Sequence, residues 1–260
     1  MGSENNPQYK IPEGTRIYAI GDVHGYVHEL EAMHRLIEAD IEANPVDDPQ
    51  IVYIGDYIDR GPESAQVIQC LMDRELNAPH IQHRFLMGNH ENAMIEFMKS
   101  PQGPRKDWLD WGGIYALASY DVYADMDKPL SGQVEMLADK LKEKVPAAHM
   151  EFLNNLDLMY VCGDYVFVHA GIVPHVPLHK QKKQDLIMIR QGFLDNDIIH
   201  EKRVVHGHTS VSEIEIKPSR INVDTGLYFG RHLTAAVLEG DAVRDLRVNM
   251  MPRRPSSVLG

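Results

Sequence analysis

An apolar run that passes straight into a loop carrying acids, histidine or asparagine beside glycine occurs three times before residue 92. Ile51-Val52-Tyr53-Ile54 leads into Gly55-Asp56-Tyr57-Ile58-Asp59-Arg60-Gly61, Thr15 to Ile20 into Gly21-Asp22-Val23-His24-Gly25, and Arg84 to Met87 into Gly88-Asn89-His90-Glu91. Asp, Asn and Gly after a single strand would read as ordinary turn residues. Three such loops, with His and Arg added, read instead as ligand loops at the ends of strands. The central one places two carboxylates and a guanidinium within seven residues, a combination suited to a cation and an anion together.

Between these loops the pattern is helical. Leu30, Met33, Ile37 and Ile41 recur at three- and four-residue spacing from Tyr26 to about Asn44, and Asn44-Pro45 with Asp47-Asp48-Pro49 closes that helix. A second helix is expected from about Glu63, carrying Val67, Ile68, Leu71 and Met72, and a third from Glu91 to about Lys99. Strands alternating with helices predict an α/β arrangement, in which ligands gather beyond the carboxyl ends of the strands. If the backbone stays extended through Asp22-Val23-His24, its period of two points Asp22 and His24 to one side.

Residues 101–160, with Trp108, Trp111 and Gly112-Gly113 and helical stretches to about Tyr123 and from Gly132 to Leu156, read as a small helical lobe that shapes access to the site. From Leu158 the pattern turns to strands: Leu158 to Val161, Tyr165 to His169, Arg203 to Val205, Glu213 to Ile216, Ile221 to Val223, Leu233 to Leu238 and Val243 to Val248. These imply a second, largely hairpin-connected sheet. Residues 1–14 read as a loose lead-in, 15–250 as one domain and 251–260 as a mobile tail.

Asp22, His24, Asp56, Asn89, His169 and His208 are oxygen and imidazole donors just past apolar runs. Without thiolates, such a set suits Mn, Fe or Zn better than Ca. Six donors exceed what one tetrahedral ion needs, whereas two ions about 3.5–4 Å apart that share a carboxylate use them all. Asp56, in the central loop, is the candidate bridge. The balance of 26 basic and 38 acidic residues, net −12, opposes a protein that tracks a nucleic-acid backbone. The polar N-terminus and the absence of a long apolar window predict a cytoplasmic protein with no membrane partner. Cys70 and Cys162 have no metal-site spacing and read as buried free thiols.

Taken in order, Gly21-Asp22-Val23-His24-Gly25, Gly55-Asp56 through Asp59-Arg60-Gly61, Gly88-Asn89-His90-Glu91, His169-Ala170-Gly171 and Gly207-His208-Thr209 resemble the calcineurin-like metallophosphoesterases, and more narrowly the bacterial and phage branch of the serine/threonine phosphoprotein phosphatases. The resemblance implies an α/β (α+β) fold, a central β-sandwich of mixed sheets flanked by helices. It implies a dinuclear centre of two divalent ions, manganese foremost with iron or zinc as alternatives. Asp22, His24 and Asp56 would hold the first ion, and Asp56, Asn89, His169 and His208 the second. It also implies His90 as the general acid oriented by Asp59, Arg60 and Arg190 as phosphate ligands, and direct in-line attack by a metal-bound hydroxide with no phosphoenzyme. The expected substrates are proteins phosphorylated on serine and threonine.

Chemistry supports these roles. An alkoxide leaving group needs a proton, which an imidazolium paired with a carboxylate can donate, and the planar fork of Arg suits a phosphoryl group better than Lys. Glu91 has two readings, a carboxylate favoured by a helix N-terminus or a residue that orients Arg60. Asp224-Thr225-Gly226 reads as a turn that could line the cleft, and His206 as a supporting or structural histidine. The symmetrical dinucleoside tetraphosphate hydrolases share the scaffold and are the nearest rival. They resemble the pattern with Ala before the loop Arg and Asp after Asn-His, where this chain has Asp59 and Glu91. A catalytically silent metal-binding module is the reading from another class, and it is opposed by the presence of every ligand and of His90.

Overall fold

Alternation along the first two strands decides how the layers stack. Ile17 and Ala19 face one way and Tyr18 and Ile20 the other, and Ile51 and Tyr53 are likewise split from Val52 and Ile54; all are buried, so this sheet is covered on both faces. The computed structural model describes residues 9–103, 106–125 and 127–252. Its strands are β1 (Thr15–Ile20), β2 (Asp48–Tyr53), β3 (Gln82–Phe85), β4 (Met159–Cys162), β5 (Tyr165–Val168), β6 (Arg203–His206), β7 (Glu215–Ile216), β8 (Arg220–Asn222), β9 (His232–Glu239) and β10 (Ala242–Asn249). Its helices are α1 (Val27–Ala43), α2 (Ser64–Asn77), α3 (Asn89–Lys99), α4 (Gly113–Ser119), α5 (Val134–Lys144), α6 (Ala147–Asn154) and α7 (Lys183–Met188).

Two five-stranded sheets form, in the orders β10-β9-β1-β2-β3 and β4-β5-β6-β8-β7. They enclose a core of Ile17, Val52, Ile54, Phe167, Val205 and Ile221. The outer face of the first sheet carries α1, α2 and α3, through side chains such as Leu30, Met33, Val67 and Leu71. The outer face of the second packs Val166, Val168 and Val204 against Leu186 and Ile187 of α7. This is the sandwich of mixed sheets flanked by helices that the motifs implied. No helix among the described residues is long and apolar enough to cross a membrane.

Register brings the ligand loops together. In the first sheet β1, β2 and β3 run parallel with Ile20 opposite Tyr53 and Tyr53 opposite Phe85, so the Asp22, Asp56 and Asn89 loops leave side by side. In the second, β5, β6 and β8 are parallel with Phe167 opposite Val205 and Val205 opposite Ile221, and His169, His208 and Asp224 follow their ends.

The late strands depart from the expected hairpin sheet. Only β4–β5 and β7–β8 pair antiparallel within the second sheet, whereas β9 and β10 return to the first, β9 lying antiparallel to β1. Burial alone cannot assign a strand to a sheet when both sheets offer apolar faces. β2 begins at Asp48 and not at Ile51, because Thr15 pairs with Asp48 across the polar start of the strand. The lead-in also differs from a loose segment over its last residues. Tyr9 and Ile11 are buried at the edge of the inter-sheet core, and the Ile11 N–H donates to the Gly240 carbonyl at 2.8 Å. Residues 1–8 and 253–260, parts of the expected lead-in and tail, lie outside the described residues. The helices of the 101–160 stretch share the outer core of the first sheet, with Val134, Leu137, Leu141 and Leu153 buried against it. Cys70 and Cys162 are free and half-buried.

Beneath that face His34 and His83 sandwich the Tyr53 hydroxyl, with His34 Nε2 at 2.9 Å and His83 Nδ1 at 3.4 Å. Burial, with Arg74 adding repulsion, pushes His34 down to about 3 and His83 down to about 4. Both are neutral in the native state, while the unfolded chain takes up protons near pH 6.5. Their contribution is therefore complete above about pH 6.5 and is lost as pH falls toward 4, each site removing on the order of 1 kcal/mol per pH unit. Urea unfolding from pH 7 to 5 checks this. His34→Gln has a shallower loss of stability than the native chain across that interval, and an unchanged pH slope contradicts the assignment.

Candidate active site

Left-handed backbone builds the site. His24, Asp56, Asp59, Arg60 and His208 have φ of +48°, +51°, +72°, +66° and +66°, a region that non-glycine residues occupy only when their surroundings impose it. His24 does not continue β1 in extended form, as the period-of-two reading assumed; it turns to reach the centre. The surroundings that impose the turn are the second loop, since Val23 and His24 N–H groups donate to the Asp56 carbonyl at 3.1 and 2.9 Å and the Gly61 N–H to the His24 carbonyl at 2.9 Å. At Gly25 an added Cβ would lie 2.7 Å from the Gly61 carbonyl oxygen, so this crossing of two loops requires glycine.

Asp56 is the hub. Its Oδ2 lies 3.7 Å from His24 Nε2 and 3.8 Å from His90 Nε2, and its Oδ1 lies 3.3 Å from His169 Nε2. Two buried triads result, His24-Asp56-His90 and Asp56-His169-His208, each with ligand atoms close enough together to hold a metal ion, and they share Asp56. Burial alone would raise the Asp56 carboxyl, but His169, His90 and His24 outweigh it and hold it well below the usual range. Burial opposes charge on His169, yet Asp56 and then Asp22 raise it to about 9. His208 is pushed down to about 2 by burial and by His169, and its Nε2 is buried with no hydrogen-bond partner among the described residues. A neutral imidazole in a buried cluster with a carboxylate and a second imidazole suits a divalent cation.

Not every expected ligand occupies the same position. Asp22 belongs to neither triad; both of its oxygens accept the His208 N–H, at 3.2 and 3.3 Å. Burial and the neighbouring Asp224 push its carboxyl well up, an unfavourable pairing of acids that a cation relieves. Asn89 begins α3, two residues before its expected start, and its Oδ1 lies 3.0 Å from His169 Nε2. His90 enters the first triad through Nε2, although the motif gave it no metal.

The other ring nitrogen of His90 is committed, with Nδ1 2.6 Å from Asp59 Oδ2. Burial disfavours an imidazolium there, but Asp56 and Asp59 together raise its pKa. Arg60 lies beside it, Nη2 at 3.3 Å from His90 Nε2, with its guanidinium carbon 3.9 Å above the Tyr228 ring. Arg190 is exposed at the rim and donates from Nε to Thr209 Oγ1 at 3.2 Å, next to His208. His206 packs edge-on against Phe193 at 5.0 Å, a structural role.

Glu91 serves neither reading alone. Its carboxylate accepts the N–H groups of Gly88 (2.9 Å), Asp56 (3.0 Å), Tyr57 (2.7 Å) and Ile58 (3.3 Å), so it caps α3 and ties the third loop to the second instead of orienting Arg60. Two groups were missed as site residues, Tyr228 under Arg60 and Trp108, whose indole donates to Asp59 at 2.6 Å, while Asp224, read as a turn that could line the cleft, is buried beside Asp22. Asp224 carried a usable signal, since it follows the end of β8 as Asp22 and Asp56 follow β1 and β2. Tyr228 and Trp108 carried none, because aromatics at loop positions have no fixed partner in sequence.

Residues 15–244 match the calcineurin-like phosphoesterase family model, and the chain belongs to that family. Fold, motifs and histidine–aspartate clusters together define a metal-dependent phosphoesterase. Among its relatives, the asymmetrical bis(5'-nucleosyl)-tetraphosphatase PrpE of Oceanobacillus iheyensis is 26% identical over 239 residues, covering 85% of this chain and 87% of that protein. The PrpE of Bacillus subtilis is 27% identical and covers 83% and 87%. A solved putative diadenosine tetraphosphatase superposes with a TM-score of 0.62 at 18% identity, covering 92% of this chain and 98% of that one. The cold-active protein-tyrosine phosphatase of a psychrophilic Shewanella superposes with 0.55, also at 18% identity, and covers 96% and 85%. These structures share the fold.

Proposed function

We propose that this chain is a serine/threonine protein phosphatase that hydrolyses phosphomonoesters. The observation that carries the reading is His90, tied through Nδ1 to Asp59 at 2.6 Å and presenting Nε2 toward Asp56 and Arg60. Serine and threonine leave as strongly basic alkoxides, so a positioned proton donor is worth about 10² to 10⁴ in rate.

Asp22, His24 and Asp56 would hold one divalent ion, with His90 Nε2 close by, and Asp56, Asn89, His169 and His208 a second; manganese suits the mixed oxygen and imidazole donors. Bound there, such ions supply Lewis acidity toward the phosphoryl oxygens and acidify water for attack on phosphorus. The chain's own groups do the rest. Arg60, stacked on Tyr228, offers its fork to the phosphoryl oxygens, and Arg190 approaches from the rim. His90 donates its Nε2 proton to the departing oxygen while Asp59 holds the opposite N–H.

The relatives named as asymmetrical tetraphosphatases support a second reading, cleavage of dinucleoside tetraphosphates. Here the leaving group is a nucleotide phosphate, which needs a proton far less than an alkoxide does. Turnover of a phosphothreonine peptide and of diadenosine tetraphosphate, by metal-stripped protein with and without Mn²⁺, separates the two. The phosphatase reading expects metal-dependent kcat/KM at least roughly tenfold higher on the peptide, and the opposite order favours the tetraphosphatase.

A further inference from the structure

Trp108 is fully buried, and its indole Nε1–H donates to Asp59 Oδ2 at 2.6 Å. The same oxygen takes His90 Nδ1, also at 2.6 Å, whereas Asp59 Oδ1 has no partner among the described residues. The carboxylate that orients His90 is thus fixed by one further side-chain donor, and that donor comes from the segment between α3 and α4, outside every metal-ligand loop. The surroundings hold Trp108 firmly. Phe97 of α3 packs on its ring at 5.0 Å between centroids, and a Cβ at Gly113 would come within 2.5 Å of the indole. The same segment grips the neighbouring residue, with the Gly112 carbonyl accepting the Arg60 N–H at 3.2 Å and the Trp111 carbonyl accepting Arg60 Nε at 3.5 Å. Trp108 therefore acts on Asp59, and Trp111 and Gly112 on Arg60, while Gly113 leaves room for the Trp108 ring.

We propose that Trp108 is a positioning residue for the proton donor, its indole N–H pinning the Asp59 carboxylate so that the His90 ring presents Nε2 to the leaving oxygen. The inference rests on the acid role of His90. When the P–O bond breaks, the leaving oxygen takes the bond's electron pair and the Nε2 proton, and His90 is left neutral. Trp108 exchanges no proton. Without the indole donor the carboxylate can turn about its own bond, and the imidazole follows it.

The test uses the Mn²⁺-loaded protein and a series of substituted phenyl phosphates whose phenols span pKa about 7 to 10, which reads the need for a proton independently of the natural substrate. Trp108→Phe keeps a ring and removes the N–H. A second variant carrying benzothienylalanine at 108 keeps the indole shape without the donor. Bound metal and the urea midpoint are measured on each. The expected result is a steeper dependence of kcat on leaving-group pKa in both variants, with a loss of roughly tenfold on phenyl phosphate, less than about threefold on nitrophenyl phosphate, and KM little changed. In an Asp59→Asn background Trp108→Phe should add no further loss, because both act through one carboxylate. Equal losses along the series, no loss, or losses that multiply with Asp59→Asn would overturn the proposal. His90→Asn serves as the control for the underlying reading. If its slope matches the native chain, the acid role itself fails; if its slope steepens and that of Trp108→Phe does not, only the role of Trp108 fails.

Discussion

Asp56→Asn removes turnover almost completely, by on the order of 10³-fold or more, since several kcal/mol of charge stabilisation depend on that one anion. Asn has nearly the same shape, so packing survives. What it lacks is the charge that lies within 3.3 to 3.8 Å of His169, His24 and His90. Those imidazoles then face one another with no shared counter-ion, and the carboxylate common to the two triads is replaced by a neutral, weaker donor. Asp56 Oδ1 also accepts the His90 N–H at 3.1 Å, a bond that the Asn carbonyl can keep, so α3 need not move. Steady-state rates on nitrophenyl phosphate at saturating Mn²⁺ check the prediction, and a variant retaining more than about a tenth of the native rate would remove Asp56 from its central role.

His90→Asn separates leaving groups. On a phosphothreonine peptide the rate falls about 10² to 10⁴-fold, because an alkoxide now departs unprotonated, whereas nitrophenyl phosphate loses less than about tenfold because its phenolate is stable alone. The amide can still bond Asp59, which limits structural damage. His90 Nε2 also lies in the first triad, 3.8 Å from Asp56, so metal content must be measured beside the rates. Retained metal with a selective loss on the peptide identifies the proton donor. Equal losses on both substrates, with metal lost as well, would make His90 a ligand instead.

Much of this site was legible because its parts are local in sequence. The three loops after β1, β2 and β3 each carry their ligand within four residues of the strand end, and parallel register carries that spacing into space without further information. His169 and His208 follow β5 and β6 by the same rule. Less legible was whatever depends on which layer covers which. β9 and β10 look like any other alternating strands, and only their pairing on β1 places them in the first sheet. The same limit hid Trp108, which is 49 residues from Asp59 and meets it only because the segment after α3 folds back. Glu91 was half legible: its place in a helix's first turn was predictable from charge, but its four backbone donors come from two loops that pattern alone could not dock. The left-handed φ of His24 and Asp56 were invisible as well, since neither residue type demands that conformation.

The most direct test is metal binding by the stripped protein, followed by calorimetric titration with Mn²⁺ for the native chain and for Asp56→Asn. Two triads that share one carboxylate predict about two ions per native chain and, in the variant, loss of both sites or a fall in affinity of roughly a hundredfold at each. A native chain that saturates with a single ion, or a variant that binds two as tightly as the native protein, would contradict a centre built around Asp56.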